Sequence, residues 1–158
     1  QNASVSAKGA SGTEYVKDGM LPFYSYNDTA FMTASGDVTV KIEFPSPVSV
    51  KAIMVYNATD IYAAFSKIKR ITFRYAEKEG DYEGGVIDNL VFPQRYYDLN
   101  AETLIPGAAA TAVVDDLPVT EITLEFAAGD KLLPTDQLGN ANNSLQIGEI
   151  VVLGRENA

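Results

Sequence analysis

The apolar residues of this chain recur at every second position in short runs, and this spacing restricts the fold more than any other feature of the sequence. In VTVKIEF (38–44), valine, isoleucine and phenylalanine alternate with threonine, lysine and glutamate. Such alternation is typical of a β-strand that buries one face and exposes the other. No apolar stripe with helical spacing persists for three turns, so the sequence predicts an all-β domain.

Six further runs predict strands, and turn residues separate them. The runs cover residues 48–57, 68–77, 84–92, 111–117, 120–127 and 145–154. Clusters of Gly, Pro, Asn and Asp lie between them, at 45–47, 79–85, 105–107, 127–130 and 139–143. Many short strands with turns between them favour an antiparallel β-sandwich, or jelly roll. The side chains expected in its core are Val40, Ile42, Phe44, Ile53, Val55, Ile71, Phe73, Tyr75, Ile122, Leu124, Phe126, Ile150 and Val152.

Length and charge restrict the organisation and the partners of the chain. Its 158 residues suffice for one domain with a sizeable core, and no linker or repeat divides them, so we expect a single domain over residues 1–158. The net charge of −9 disfavours nucleic acid and anionic membranes, because both require a basic surface. No apolar run approaches the roughly 20 residues of a membrane span, so we expect no membrane insertion.

The chain contains no histidine and no cysteine, which removes several kinds of chemistry. Nucleophilic systems that need histidine, His-ligated zinc and disulfide bonds are excluded. Paired carboxylates remain, at Asp115 with Asp116 and at Asp81 with Glu83. Adjacent residues of a strand point to opposite faces, so the first pair cannot flank one bond. The second pair has the composition of a solvated turn. The sequence therefore predicts a protein without enzymatic activity.

Several motifs follow one another in an informative order. An Asp-Gly lies in YVKDGM (15–20), the segment DTAFMTAS (28–35) follows, and IGEIVVLG (147–154) closes the chain. Their order and spacing resemble the discoidin-like, or coagulation factor 5/8 type C, domains and their bacterial carbohydrate-binding relatives with the galactose-binding-like fold. The resemblance covers residues 7–154. It departs at Phe31, where the family usually has Trp, and in the longer interval at 20–27.

The resemblance implies a jelly roll with adjacent chain ends and a structural calcium ion. Carried over by position, the metal ligands are Asp18, Asp28 or Thr29, and Glu149, with backbone carbonyls completing the shell. Calcium takes 6–8 oxygen ligands, which loops of this kind supply. A cation would also explain why Glu149 stands in a nearly continuous apolar run, where a carboxylate costs free energy unless it is paired. In the alternative, Glu149 faces solvent on an edge strand and Asp18 only shapes a turn.

A sugar site needs aromatic faces for stacking and a few fixed polar groups. The first candidates are Arg95 with Tyr96 or Tyr97 in QRYY, followed by Tyr24 and Tyr26 in the aromatic-rich insertion. Further polar and aromatic candidates are Asn57, Asp60, Tyr62 and Asn142. Galactose-binding relatives often use a histidine, so the lack of one disfavours a galactose mode. The alternative for any single tyrosine is that its ring packs on a sheet while its hydroxyl reaches water.

The function that the resemblance implies is a non-catalytic carbohydrate-binding module. Such modules bind glycans weakly and are commonly appended to secreted or surface glycoside hydrolases of bacteria, so we expect an extracellular or cell-surface location. A start at QNASVSAKGAS without an initiator Met is typical of a domain excised from a longer protein, whose other domains would be partners. The alternative is a protein-interaction or adhesion domain, since discoidin-like modules also bind proteins.

Overall fold

The computed structural model describes residues 3–16, 32–58, 63–77, 80–92, 109–133 and 145–156. Within these ranges the chain forms β1 (Ser4–Ser11), the 3-10 helix η1 (Thr13–Val16), β2 (Met32–Asn57), β3 (Lys67–Glu77), β4 (Gly80–Val91), β5 (Ala109–Phe126), the 3-10 helix η2 (Ala128–Asp130) and β6 (Leu145–Glu156). No helix in these ranges is long and apolar enough to cross a membrane.

The two long strands β2 and β5 form a ribbon with which β1, β3 and β6 pair, and β4 pairs with β3. Strands β2 and β5 pair from Val38 opposite Phe126 to Tyr56 opposite Ala109. Hydrogen bonds give the strand order β1-β2-β5-β3-β4, and β6 pairs with β2. Strand β1 borders the first half of β2, and β6 borders the second half and also pairs with Met32–Ala34 at the start of β2. Each half of the ribbon therefore carries its own neighbours, as expected for the two layers of a sandwich.

A bend in β2 turns the ribbon back on itself. The pairing with β5 shifts between Glu43 and Val48, around PSP (45–47), and again between Val50 and Ala52. Proline has no backbone N–H to continue a ladder, and bulges bend a strand. The sequence analysis predicted two strands with a turn here, whereas the structure has one continuous strand that bends. The runs at 111–117 and 120–127 likewise join into the single strand β5.

The bend brings the two ends of β2 together. Met32 and Asn57 are both opposite Ile147 of β6. At the other end of the sandwich, Ser4 is opposite Glu43 and Glu156 is opposite Val48. Ser4 and Glu156 thus both lie beside the bend, which agrees with the adjacent chain ends that the resemblance implies.

The core lies between the two halves of the ribbon and confirms the predicted inward-facing side chains. Ten of them are buried, namely Val40, Ile42, Ile53, Val55, Ile71, Phe73, Ile122, Leu124, Phe126 and Ile150. Phe44, Tyr75 and Val152 are partly buried against them. Each large side chain contributes roughly 1.5–3 kcal/mol on burial. The fold class is the predicted one, a nearly all-antiparallel β-sandwich.

Other core residues were not predicted. Phe65 is fully buried and its ring centroid lies 4.9 Å from that of Phe126. Ile68 and Phe92 are buried as well. Phe65 and Phe92 stand just outside regular strands, so the period of two did not identify them.

Candidate functional site

At one end of the sandwich, backbone hydrogen bonds join four chain segments, around residues 63–66, 92, 130–132 and 146, and the side chain of Asn57 links a fifth, 57–58, to them. We call this region the anchor end and define it as residues 57–58, 63–66, 92, 130–133 and 145–149. Its central segment is 63–66. The joining bonds run from Ser66 N to Asp130 O (2.7 Å), Leu132 N to Ala64 O (2.9 Å), Gln146 N to Ala63 O (3.0 Å) and Phe92 N to Ser66 O (3.0 Å). The end of β4, the segment after η2 and the start of β6 are thereby fixed relative to one another.

The anchor end also concentrates buried polar side chains. Asn57 is 1% exposed, Glu149 is 3% exposed and Lys131 is 8% exposed. Removing a polar or charged group from water costs free energy that specific partners must offset. Such groups are therefore a reason to look for a site at this end. Lys131 was not singled out from the sequence, because a lysine after a turn normally signals an exposed position.

Asn57 has a structural role in the described geometry. Its side-chain Nδ2 donates to the carbonyl of Phe65 at 2.8 Å. Its Oδ1 accepts from the backbone N–H of Ala58 at 2.9 Å and of Phe65 at 3.2 Å. A buried amide with these bonds holds the chain and does not present itself to a ligand in solution. We therefore correct the hypothesis that Asn57 contacts the ligand directly.

The remaining ligand-binding candidates lie outside the described residues: Tyr24, Tyr26, Asp60, Tyr62, Arg95, Tyr96, Tyr97 and Asn142. The described flanks of two of them are informative nevertheless. Arg95 and its neighbours follow shortly after Phe92, and Asn142 shortly precedes Leu145. Phe92 and the start of β6 both bond to segment 63–66. Phe92 and the start of β6, which are the described residues nearest in sequence to Arg95 and Asn142, therefore both lie at the anchor end.

Glu149 is buried in β6, opposite Tyr56 of β2. The alternative in which Glu149 faces solvent is therefore wrong. The other expected metal ligands, Asp18, Asp28 and Thr29, lie outside the described residues, in the interval between Val16 and Met32. Met32 is opposite Ile147, close to Glu149 in β6. Among the described residues, no group of three or more acidic side chains is placed to hold a metal ion.

The acids considered for catalysis lie on strands. Asp115 and Asp116 are adjacent in β5, as predicted. Asp81 and Glu83 are in β4, so the turn predicted at 79–85 is wrong. Glu83 is opposite Arg74, whose side chain is 41% exposed.

The sequence matches no protein-family model, and no curated protein sequence is similar enough to count as a relative. Solved structures do match the fold. The F5/8 type C domain of a Bacteroides fragilis protein is 13% identical with a TM-score of 0.61, and the match covers 98% of this chain and 93% of that one. The chain thus has the F5/8 type C, or discoidin-like, fold.

Two further solved structures of this fold contain bound sugars. The lectin-binding domain of lectinolysin, in a mutant form complexed with Lewis b, is 12% identical with a TM-score of 0.61, over 98% of this chain and 92% of that one. A CBM32 module, named GH31 CBM32-2 and bound to GalNAc, is 17% identical with a TM-score of 0.57, over 99% and 98% of the two chains. These two neighbours are described as a lectin binding domain and a CBM32 module.

Proposed function

We propose that the chain is a non-catalytic carbohydrate-binding module that binds its glycan at the anchor end. The observation that carries the proposal is the set of backbone bonds through segment 63–66. These bonds bring together Phe92, which precedes Arg95, Tyr96 and Tyr97 in the chain, and the start of β6, which follows Asn142. The support from structure is the shared fold with domains that bind Lewis b and GalNAc.

The proposed binding is weak, for a physical reason. A shallow site that stacks one sugar ring and bonds a few strongly hydrated hydroxyls gains little net free energy. We expect a Kd on the order of 0.1–1 mM, which corresponds to about −4 to −5.5 kcal/mol. Arg95 supplies fixed donors and Tyr96 or Tyr97 the stacking face in this proposal, with Tyr24 and Tyr26 as further aromatic contacts.

The proposed setting is a secreted or surface bacterial protein in which the module is appended to a glycoside hydrolase. The GalNAc-binding neighbour carries the designation GH31 in its name. In this chain, Ser4 and Glu156 lie beside the bend of β2, at the end of the sandwich opposite the anchor end. Attachment of further domains there would leave the anchor end accessible to a glycan.

A structural calcium ion near Glu149 is the second part of the proposal. Glu149 is an acid at 3% exposure on β6, where a divalent cation would offset the cost of its burial. Asp18, with Asp28 or Thr29, would complete the oxygen ligands. When bound, the ion would link the segment of Asp18 and Asp28 or Thr29 to Glu149 of β6, and it would have no catalytic role.

Titration calorimetry with GalNAc and with Lewis b, with and without calcium, tests the glycan proposal. We expect binding to one of these sugars by the parent, and its loss in Arg95→Ala and Tyr97→Ala with the melting temperature nearly unchanged. Arg74→Ala is the matched control, because Arg74 is a half-exposed arginine of β3 outside the anchor end. Loss of binding in Arg74→Ala, or unchanged binding in both loop variants, would place the site elsewhere.

One observation favours the alternative of a protein-interaction domain. Val113 of β5 and Leu153 of β6 are both opposite Ala52 of β2 and are 82% and 46% exposed. Exposed apolar residues that lie together are more common at protein contacts than elsewhere on a surface. If the chain binds neither GalNAc nor Lewis b, Val113 and Leu153 are the first residues to substitute in a test for protein binding.

A further inference from the structure

The buried side chain of Asn57 forms hydrogen bonds near both ends of the connection between β2 and β3. Strand β2 ends at Asn57, and β3 begins at Lys67. The amide of Asn57 bonds to Ala58 at the start of this connection and to both backbone groups of Phe65 near its finish. A single buried side chain therefore sets the distance between the two ends of the connection.

Phe65 and its neighbours fix the positions of the other segments of the anchor end. Its side chain is fully buried against Phe126, and its backbone forms an isolated bridge with Lys131. The flanking residues Ala64 and Ser66 bond to the segment around η2 and to Phe92. A shift of Phe65 would therefore displace Phe92 and the start of β6. These residues adjoin, in sequence, the segments that contain the predicted sugar contacts.

We propose that Asn57 is a positioning residue for glycan binding: it contacts no sugar, and its side-chain amide holds segment 63–66 where the anchor end needs it. This inference rests on the proposed function. Without the amide, two backbone N–H groups and one carbonyl lose their partner in a buried place, which a local rearrangement relieves. The strand pairs of β2 with β5 do not involve these groups, so the sandwich remains folded.

The test compares Asn57→Ala with Val40→Ala. Val40 is fully buried in the pairing of β2 with β5 and is not part of the anchor end, so its truncation destabilises the fold without touching the connection. Affinity for GalNAc and Lewis b is measured well below both melting temperatures, and amide hydrogen exchange is followed by NMR. We expect Asn57→Ala to weaken binding about tenfold, the size of a lost buried hydrogen bond, and to accelerate exchange at Ala58 and Phe65. Val40→Ala should bind as the parent does.

A second variant covers the case in which Asn57→Ala does not fold. Asn57→Ser keeps a small uncharged polar side chain at the same position, but its hydroxyl is too short to bond both backbone groups of Phe65. We expect a weakening of about threefold, with less accelerated exchange.

The outcomes separate this inference from the proposed function. Parent protein that binds neither sugar refutes the proposed function and the inference with it, whatever the exchange shows. Parent protein that binds, with unchanged affinity in the folded Asn57 variants, refutes the inference alone. Equal loss of affinity in Val40→Ala also refutes it, because binding would then follow overall stability.

Discussion

The paired strands and the anchor end are held together by different interactions. Where β2 residues 38–43 pair with β5 residues 121–126, hydrogen bonds follow a regular ladder, apolar side chains point inward and charged ones outward. At the anchor end, the bonds join segments with no regular structure, and polar side chains such as Asn57 are buried. The first region depends on total apolar burial, whereas the second depends on individual polar partners.

The outward charges of the paired strands form a small network that makes the contrast concrete. Glu121 lies 3.4 Å from Lys41 and 3.5 Å from Arg74. The side chains of Lys41 and Arg74 are 44% and 41% exposed, whereas that of Glu121 is 12% exposed. Water reaches the cationic side of each pair and screens it, so each pair adds only modest stability. In contrast, Asn57 and its partners Ala58 and Phe65 are all buried, so water cannot replace the hydrogen bonds of the Asn57 side chain.

The largest expected effect is at the core of the paired strands. Phe73→Ala removes a fully buried ring and should cost about 3–5 kcal/mol, or roughly 6–20 °C in melting temperature for a chain of this size. Thr72→Ala on the opposite face of β3 is the matched control, with an expected change within about 0.5 kcal/mol. Denaturant titration of both variants measures the difference. Equal effects would mean that the strand does not alternate as described.

The next largest loss of stability is expected at the anchor end, when the proposed calcium ion near Glu149 is removed. If the proposed calcium ion binds, it stabilises the fold by about 2.7 kcal/mol when calcium is at 100 times its Kd. Chelation should then lower the melting temperature by about 5–10 °C. Glu149→Gln should show the same loss and no response to chelator, because a neutral amide is a poorer ligand.

Two further variants decide whether the ion is shared as proposed. Asp18→Asn should reproduce the loss of Glu149→Gln, and the two losses should not add, since both remove one ion. Glu125→Gln, on the paired strands, should respond to chelator as the parent does. A melting curve of the parent that chelator does not move, in protein shown to be metal-free, would contradict the calcium proposal.

A smaller effect is expected where two strands approach closely. A Cβ added at Gly154 would overlap the carbonyl oxygen of Ser49, whereas one added at Gly129 meets nothing within 4 Å. Gly154→Ala should therefore destabilise the fold by about 1–3 kcal/mol as β2 and β6 separate, and Gly129→Ala should be nearly neutral. Thermal melts of the pair measure this. A neutral Gly154→Ala would show that the contact of β6 with β2 is looser than described.

The smallest effect is expected at the outer charges. Lys41→Ala should cost about 0.2–1 kcal/mol, and the cost should shrink in 1 M salt because salt screens the exposed ammonium group of Lys41. Lys51→Ala, at another exposed position of β2, should cost less. Chemical denaturation with urea at low and high salt compares them. A salt-independent cost for Lys41→Ala would mean that its aliphatic stem, not its charge, stabilises the sheet.

The paired strands were predictable from the sequence because their pattern is local. Alternation in 38–44 and 120–127 identified Ile42, Ile122 and Leu124 as core residues, and the structure confirms them. Strand β1 was not predicted, since Ser and Ala in SVSAKGAS give a weak apolar signal. The continuity of β2 was also not predicted, because Pro45 and Pro47 are as compatible with a turn as with a bend.

The anchor end was not predictable in the same way. The partners of Asn57 and of segment 63–66 come from remote parts of the chain, and no local spacing encodes them. Asn57 was proposed as a ligand contact because its amide is a polar group that can bond sugar hydroxyls, and its sequence neighbours do not reveal its buried partners. Glu149 was identified correctly as an unusual acid, because its apolar neighbours are consecutive in sequence and therefore visible.

The bent ribbon of β2 and β5 has a consequence for folding kinetics. Residues paired in it, such as Val38 with Phe126, are far apart in the chain, which gives the domain a high contact order. Chains of this kind close large loops before they gain native contacts, and they fold in milliseconds to seconds. Because the same two strands run through both layers, neither layer has a complete set of partners without the other. We therefore expect the layers to form and melt as one cooperative unit.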